Sequence, residues 1–376
     1  MKKYLSLAIM ATIVSFSAHA ENDINKEVIE AETENAIDID AAEPSGFLTS
    51  ALNSSVETAM NDDVEYGRKV TAYASAPKFG GYVIGKYSYS DKDGAHGGDG
   101  FNQRLIRFYV DGTILNDFKY RIQVQTNNDK FHMKDFFIEW QKFEFAKIKV
   151  GQFKRAFGFE NPMNPWDIST GDYSYFTKKM TGDYKDDAWG GGGRDQGIQL
   201  QGDFLKSGED YHNLIHYQVG MWNGEGINKK DEDGKKDFIG TIQFQPVKGL
   251  VIGAFGWTGE CAGEQRDRYA FGVKYDSKAG LTVRGEYGHS HYTSRNDDAW
   301  YIVVGQPINN WFKVSAQYQT YRKGKSWGDA QCTYSLIPEF QLHKNLKFQI
   351  QYNYNNFRGS ADRHFNEVWA ETYFRF

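Results

Sequence analysis

The sequence has few cysteines, few prolines and no long apolar run beyond its N-terminus, and each shortage excludes a class of protein. Two cysteines among 376 residues exclude a disulfide scaffold and any metal site built from several cysteines. The absence of an 18-residue apolar run, with a mean hydropathy of −0.65, excludes a helical membrane protein. The 39 glycines, 24 tyrosines and 27 phenylalanines exclude wholesale disorder. The composition indicates a large, turn-rich β protein.

The first twenty residues have the three parts of a secretory signal peptide. Lys2 and Lys3 form the charged start, residues 4–16 form a short apolar stretch, and residues 18–20 (Ala-His-Ala) form a cleavage site. The sequence therefore predicts a signal peptide over 1–20 and export into the envelope of a Gram-negative type of cell.

The segment that follows is strongly acidic. Residues 21–65 contain thirteen Asp or Glu against Lys26, whereas residues 66–376 carry a net charge of +5. Such a composition is typical of a solvated segment. We expect an acidic periplasmic leader over 21–78, partly disordered, before a mildly basic body.

From residue 79 onward, hydrophobicity alternates with a period of two. Segments 118–125, 281–287, 312–319 and 346–355 each place apolar side chains on one face and Lys, Arg, Gln or Asn on the other. Alternation of this length predicts β-strands with one apolar and one polar face.

Sixteen such segments lie between residues 79 and 376, and the connections between them tend to alternate between short and long. This arrangement predicts an all-β, transmembrane antiparallel barrel whose apolar side chains face lipid and whose polar side chains face a lumen. Closure leaves no unpaired strand edge in the lipid, and sixteen strands leave an aqueous channel.

A soluble β-sandwich, propeller or lectin is the alternative fold. It would bury one face of each strand in a shared core and leave the polar face in water. The barrel is favoured because Gln, Lys and Arg fill the polar face in strand after strand and aromatics recur near strand ends. The chain also stops on an alternating strand that ends in Phe376.

Several motifs in residues 101–160 resemble the phosphate-selective porins O and P family of outer-membrane channels. The most distinctive is residues 148–160 (Ile-Lys-Val-Gly-Gln-Phe-Lys-Arg-Ala-Phe-Gly-Phe-Glu), and residues 134–140 (Lys-Asp-Phe-Phe-Ile-Glu-Trp) precede it. Residues 193–197 (Gly-Arg-Asp-Gln-Gly) and 222–224 (Trp-Asn-Gly) add to the similarity. The resemblance implies a barrel domain over 79–376, a homotrimer, and a third loop, residues 154–195, that folds into the lumen.

The charges depart from the family pattern. Phosphate-selective members line the pore with arginines, whereas only 14 of the 44 basic residues here are Arg. On the predicted lumen faces, basic and acidic residues nearly balance. The resemblance therefore supports a porin more than it supports phosphate selectivity.

Selectivity in a wide pore depends on charged side chains near its narrowest section. We expect a pore-lining, anion-attracting group made of Arg107, Arg121, Lys149, Lys154 and Arg155. Secondary pore or loop charges are Lys119, Lys147, Asp135, Lys178, Lys179 and Arg194. The alternative is that these residues only balance neighbouring carboxylates and keep the lumen hydrated.

Catalytic and metal chemistry find little support in the sequence. No Gly-x-Ser-x-Gly elbow occurs, and Asp231 and Asp233 reproduce only part of a calcium loop. We predict no enzyme activity, no cofactor and no metal site. A disulfide between Cys261 and Cys332 is left open, since an exported protein permits one.

These observations predict an outer-membrane porin for passive diffusion of small hydrophilic solutes and ions, with a weak anion preference. One alternative is a substrate-specific channel for phosphate or another anion, and a second is a plugged structural or adhesive surface barrel. The expected partners are outer-membrane lipid and small inorganic anions or other small solutes. Nucleic acid is not expected, because no concentrated basic patch occurs.

Overall fold

The structure is a computed structural model that describes most of the chain after residue 74. The predicted signal peptide, and the predicted leader as far as residue 74, lie outside the described residues, so their boundaries stay predictions. No helix in the described part is long and apolar enough to cross a membrane. The described residues are 75–92, 99–127, 130–182, 192–261, 263–324, 326–360 and 363–376, without the side chains of residues 130 and 261.

Sixteen antiparallel strands form one closed barrel, in which each strand pairs with its neighbours in sequence and the last strand pairs with the first. The predicted sixteen-stranded barrel is confirmed, with strand ends that differ by a few residues. The strands are β1 (Lys78–Ser90), β2 (Gly100–Ile114), β3 (Phe118–Asn127), β4 (Lys130–Phe143), β5 (Ala146–Lys154), β6 (Arg194–Ser207), β7 (His212–Trp222), β8 (Asp237–Val247), β9 (Leu250–Cys261), β10 (Glu264–Asp276), β11 (Thr282–Tyr292), β12 (Asn296–Pro307), β13 (Phe312–Lys323), β14 (Gln331–His343), β15 (Leu346–Phe357) and β16 (His364–Arg375).

The two faces of each strand meet different surroundings. In β15, Gln351 and Asn353 are buried whereas the tyrosines at 352 and 354 are exposed. Gln351 accepts a hydrogen bond from the backbone of Gly171, which lies inside the barrel, so the polar face is the inner one. The outer surface carries exposed apolar side chains on strand after strand, including Ile138, Val150, Ile198, Val219 and Ile242.

β5 and β6 are connected by residues 155–193, of which 155–182 and 192–193 are described. These described residues fold into the barrel, and we call them the inner loop. It contains a short helix, α1 (Tyr175–Met180), whose N-cap Ser174 accepts a hydrogen bond from the Thr177 N–H (3.2 Å). The predicted inward-folding third loop is therefore confirmed. Its aromatic side chains share a buried core with the wall, made of Phe157, Phe159, Phe176, Phe255, Trp257 and Tyr301.

Some connections that looked long in the sequence are short. β9 and β10 are joined by residues 262–263, where the alternation suggested a loop over 259–267. The strands extend further because polar side chains pair across them. The Thr258 hydroxyl, for example, donates to the Asp267 carboxylate (2.6 Å). The expected strand ends were placed where the alternation of apolar and polar residues stops. Beyond that point, polar pairs across the two strands continue the sheet.

The chain divides into two compact units. The larger contains Gly80–Tyr109 and Tyr120–Phe376, and it includes the inner loop. The smaller contains Met1–Phe79 and Val110–Lys119, of which residues 75–79 and the turn between β2 and β3 are described. Within it, the Ser75 N–H donates to the Thr113 carbonyl (2.9 Å), and the Thr113 N–H donates to the Ser75 hydroxyl (2.8 Å).

Candidate functional site

The inner loop crosses the lumen and is fixed to strands that lie far apart on the wall. The Phe159 N–H donates to the Glu286 carboxylate on β11 (2.5 Å), and the Gly171 N–H donates to Gln351 on β15 (2.6 Å). A loop held inside a barrel narrows it, and charges at a narrow section act most strongly on passing ions. The charged side chains around this loop are therefore the candidate site.

Three bases and two acids lie together where the inner loop faces β1, β2 and β16, and we call them the upper group. Two of them, Lys178 and Asp172, belong to the loop itself. Arg104 lies 3.5 Å from the Asp172 carboxylate and 3.4 Å from that of Glu371. The Lys86 ammonium lies 3.9 Å from Glu371, and Lys178 pairs with Asp172 within the loop. The net charge of the upper group is +1.

Asp172 is the partly exposed carboxylate of this group. Burial raises the pKa of its carboxyl, but Lys178 and Arg104 lower it more, so its pKa falls below the usual value of 3.8. Asp172 is therefore ionised throughout the physiological pH range and offsets part of the positive charge around it.

A second group, which we call the root group, lies where the loop leaves β5. Lys154 donates to the Tyr173 hydroxyl (3.0 Å) and to two loop carbonyls. Arg194 makes two hydrogen bonds to Asp135, at 2.7 and 3.1 Å. Arg107 donates to a tyrosine on β1 (2.6 Å) and a glutamine on β3 (2.5 Å). Three bases against one acid give the root group a net charge of +2.

The Tyr173 hydroxyl reports how close these bases lie to one another. Burial raises the pKa of Tyr173 above its usual value, while Arg107 and Arg194 act in the opposite direction. Lys154 donates directly to the same hydroxyl. Lys154, Arg107 and Arg194 therefore lie close together around the Tyr173 hydroxyl, at the base of the inner loop.

The other basic residues expected in the pore lie nearer the short turns between strands. Lys149 pairs with Glu139 on the neighbouring strand (3.4 Å), and Lys147 pairs with Asp203 (3.1 Å). The Arg121 guanidinium lies 5.1 Å from the ring of a tyrosine on β2. Lys119 is the second residue of β3, and it belongs to the smaller unit.

Arg155 and Lys179 lie apart from both groups. Arg155 is fully buried and pairs with Asp195 (2.9 Å), which is fully buried as well. Lys179, on α1, lies 5.3 Å from the ring of Tyr321. Of the five residues expected to form one anion-attracting group, the structure brings Arg107 and Lys154 together with Arg194, and it places Arg155 in a separate buried ion pair.

Two residues of the upper group, Lys86 and Arg104, were not among the expected pore residues. Lys86 lies on the inner face of β1, in alternation with the buried Tyr82 and Ile84, so its position is readable from the sequence. Arg104 is harder to predict, because it and the adjacent Leu105 both face the lumen. Leu105 packs in a buried cluster with Tyr82 and Ile84, while Arg104 reaches Glu371.

The partial calcium loop noted in the sequence makes ordinary polar contacts in the structure. Asp231 is paired with Lys236. Within the described part of the chain, no three His, Cys, Asp or Glu side chains are placed to hold a metal ion.

Cys332 is a free, buried cysteine on β14. Its sulfur lies 3.3 Å from the Thr320 hydroxyl and 3.5 Å from that of Tyr318. The side chain of Cys261 is outside the described residues. The contacts around Cys332 are those of a packed thiol.

Comparisons with known proteins agree with this architecture. A family model described as Gram-negative porin matches residues 8–360. The anion-selective porin from Comamonas acidovorans shares the fold with a TM-score of 0.62 at 14% identity, over 81% of this chain and 100% of that one. The Salmonella typhi OmpF complex with daunomycin gives 0.61 at 12% identity, over 80% and 97% of the two chains.

The trimer form of OmpT, an outer membrane protein of Vibrio cholerae, gives a TM-score of 0.56 at 12% identity, over 81% and 99% of the two chains. No curated protein matches the sequence. At these identities the solved structures establish the fold alone, and the family model covers most of the chain.

Proposed function

The chain belongs to the Gram-negative porin family, and on this basis we propose that it is an outer-membrane porin with a weak preference for anions. Family and fold together support a channel in the outer membrane rather than an enzyme. Small hydrophilic solutes would diffuse through the lumen beside the inner loop, and no chemical step is involved.

The observation that carries the anion preference is the excess of bases around the inner loop. The upper and root groups together contain six basic and three acidic side chains. Low-dielectric walls focus the field of such an excess into the lumen and raise the local concentration of anions. The three acids, each paired with a base, offset half of the six positive charges, so the preference for anions is weak.

A phosphate-selective channel is the second candidate, and one feature of the root group favours it. In the described part of the chain, Arg107 and Lys154 each donate hydrogen bonds only to neutral groups. Bidentate phosphate binding needs an available guanidinium fork. The Arg194 fork is already occupied by Asp135, which supports weak preference over a tight phosphate site.

We also propose that the porin is a homotrimer surrounded by outer-membrane lipid. The apolar outer band supports lipid contact, and the trimer form of the Vibrio cholerae protein with this fold supports the assembly. The mass of the detergent-solubilised protein, measured by light scattering after subtraction of the detergent, should equal three chains. A mass of one chain would contradict the trimer.

The reversal potential of the native protein under a KCl gradient tests the anion preference itself. Reversing two charges outside the upper and root groups tests whether those charges add to it. In the double variant Arg121→Glu and Lys149→Glu, the reversal potential under a KCl gradient should shift toward cations, because lumen positions tune selectivity. Lys248→Glu is the matched control, since Lys248 is exposed in the turn between β8 and β9. An unchanged potential in the double variant would remove both residues from the ion path.

A further inference from the structure

One indole, that of Trp257 on β9, lies beneath the inner loop and is in contact with three arginines. The guanidinium carbons of Arg155, Arg266 and Arg268 lie 5.0, 5.1 and 4.4 Å from the centre of its buried ring. These distances are those of cation–π contacts, which are strongest on tryptophan and in the absence of water. Phe157 of the loop packs edge-on against the same ring (5.7 Å).

Two of these arginines are also held in ion pairs away from water. Arg155 pairs with Asp195 (2.9 Å) and Arg266 pairs with Asp237 (2.6 Å), and all four side chains are fully buried. Buried ion pairs are costly unless their geometry is fixed by further partners. The Trp257 ring supplies a partner that both guanidiniums share.

The arginines connect the ring to the first residue of the inner loop and to the residues just after α1. Arg155 is its first residue, and it donates to the carbonyl of Thr181, just after α1 (3.2 Å). Arg268 donates to the carbonyls of Met180 (2.6 Å) and Gly182 (3.4 Å). The start of the inner loop and residues 180–182 are thus held against one side chain of the wall.

We infer that Trp257 is the positioning residue that holds the inner loop across the lumen and so sets the width of the pore. The statement about pore width rests on the proposed channel function, whereas the position of the loop does not. Loss of the ring leaves three arginines without their shared contact and releases residues 180–182, while the strand pairing of β9 remains.

Hydrogen exchange measured by mass spectrometry tests the position of the loop. In Trp257→Leu, exchange in the peptide 175–182 should accelerate about tenfold, the change that accompanies loss of roughly one strong cation–π contact. Peptides from β12 should keep their rate. Trp257→Phe retains an aromatic face and should restore slow exchange.

Trp222→Leu is the matched control, because Trp222 is an equally buried indole of the same core that packs on Phe153 (5.8 Å). Unchanged exchange in the loop of Trp257→Leu, or equal acceleration in the loop and in β12, would overturn the inference. If Trp257→Leu does not fold, Arg268→Lys tests the link between the ring and residues 180–182, since lysine keeps the charge and loses the planar fork that joins them.

Single-channel recording tests the consequence for the pore. Open-channel noise in Trp257→Leu should exceed that of the native protein and of the Trp222 control severalfold, and Trp257→Phe should lower it again. Native-like noise together with faster loop exchange would overturn the assignment of pore width to Trp257. Absence of channels from the native protein would instead contradict the proposed function and leave the exchange result valid.

Discussion

Replacing Asp172 with asparagine removes one of the two carboxylates of the upper group and keeps the size of the side chain. Asp172 also accepts a hydrogen bond from the Tyr173 N–H (2.8 Å), and an asparagine oxygen can accept the same bond. The inner loop should therefore stay in place. The three bases of the upper group then face Glu371 alone, so the net charge of the group rises from +1 to +2.

The size of the effect follows from Coulomb's law. A unit charge about 5 Å from a permeating ion in water contributes about 0.8 kcal/mol, which is about fourfold in anion occupancy. Dissolved salt screens part of this interaction at 0.1 M and above. We expect the ratio of anion to cation permeability to rise about two- to fourfold in Asp172→Asn.

The assay is the reversal potential in a planar bilayer under a KCl gradient. Asp210→Asn is the matched control, because Asp210 lies in the exposed turn between β6 and β7, away from the inner loop. The control should keep the native potential. An unchanged potential in Asp172→Asn would refute the reasoning, because the upper group would then lie outside the ion path. A shift toward cations would refute the predicted sign of the effect.

Three further predictions follow from single side chains. Gly151→Ala should lower the free energy of unfolding by about 1–3 kcal/mol, because φ at Gly151 is +128° and a Cβ would lie 2.2 Å from the Phe136 carbonyl oxygen. A urea titration read by heat-modifiable electrophoretic mobility measures this loss. Gly85→Ala, with open space around its Cβ, should be neutral, and equal loss in both would contradict the reasoning. Cys332 should resist a water-soluble maleimide until the protein is unfolded, with the labelled site identified by peptide mapping because Cys261 is a second thiol. Labelling of Cys332 in the folded protein would contradict its burial. The pKa of Asp172 lies below 3.8 because its two basic neighbours, Lys178 and Arg104, outweigh the effect of burial. Protonation of Asp172 should therefore raise anion selectivity only below pH 3.8. A rise between pH 6 and 4 that is absent in Asp172→Asn would contradict this prediction.

The barrel could be predicted from the sequence because the physical cause of the pattern is local. A strand between lipid and water must alternate apolar and polar side chains, and β15 does so over residues 346–355. The pattern fails outside the band of exposed apolar side chains. The ends of β9 and β10 nearest their connection are polar on both faces. Hydrophobic alternation therefore could not predict that they pair there.

The site was less predictable, because it depends on where the chain leaves regular structure. Lys154 and Arg155 are neighbours in sequence at the end of β5, yet one joins the root group and the other is buried against Asp195. Alternation assigns faces only within a strand, so it cannot separate them. The same holds for Arg104, which faces the lumen beside Leu105 instead of alternating with it.

The central claim, an aqueous channel that favours anions, is tested most directly by the reversal potential of the native protein under a KCl gradient, followed by titration with phosphate at fixed pH. The account predicts a potential on the anion side and little block of the chloride current at low phosphate concentration. Strong block would establish a phosphate-specific channel instead. A potential near zero or on the cation side, or no channels from folded protein, would contradict the account.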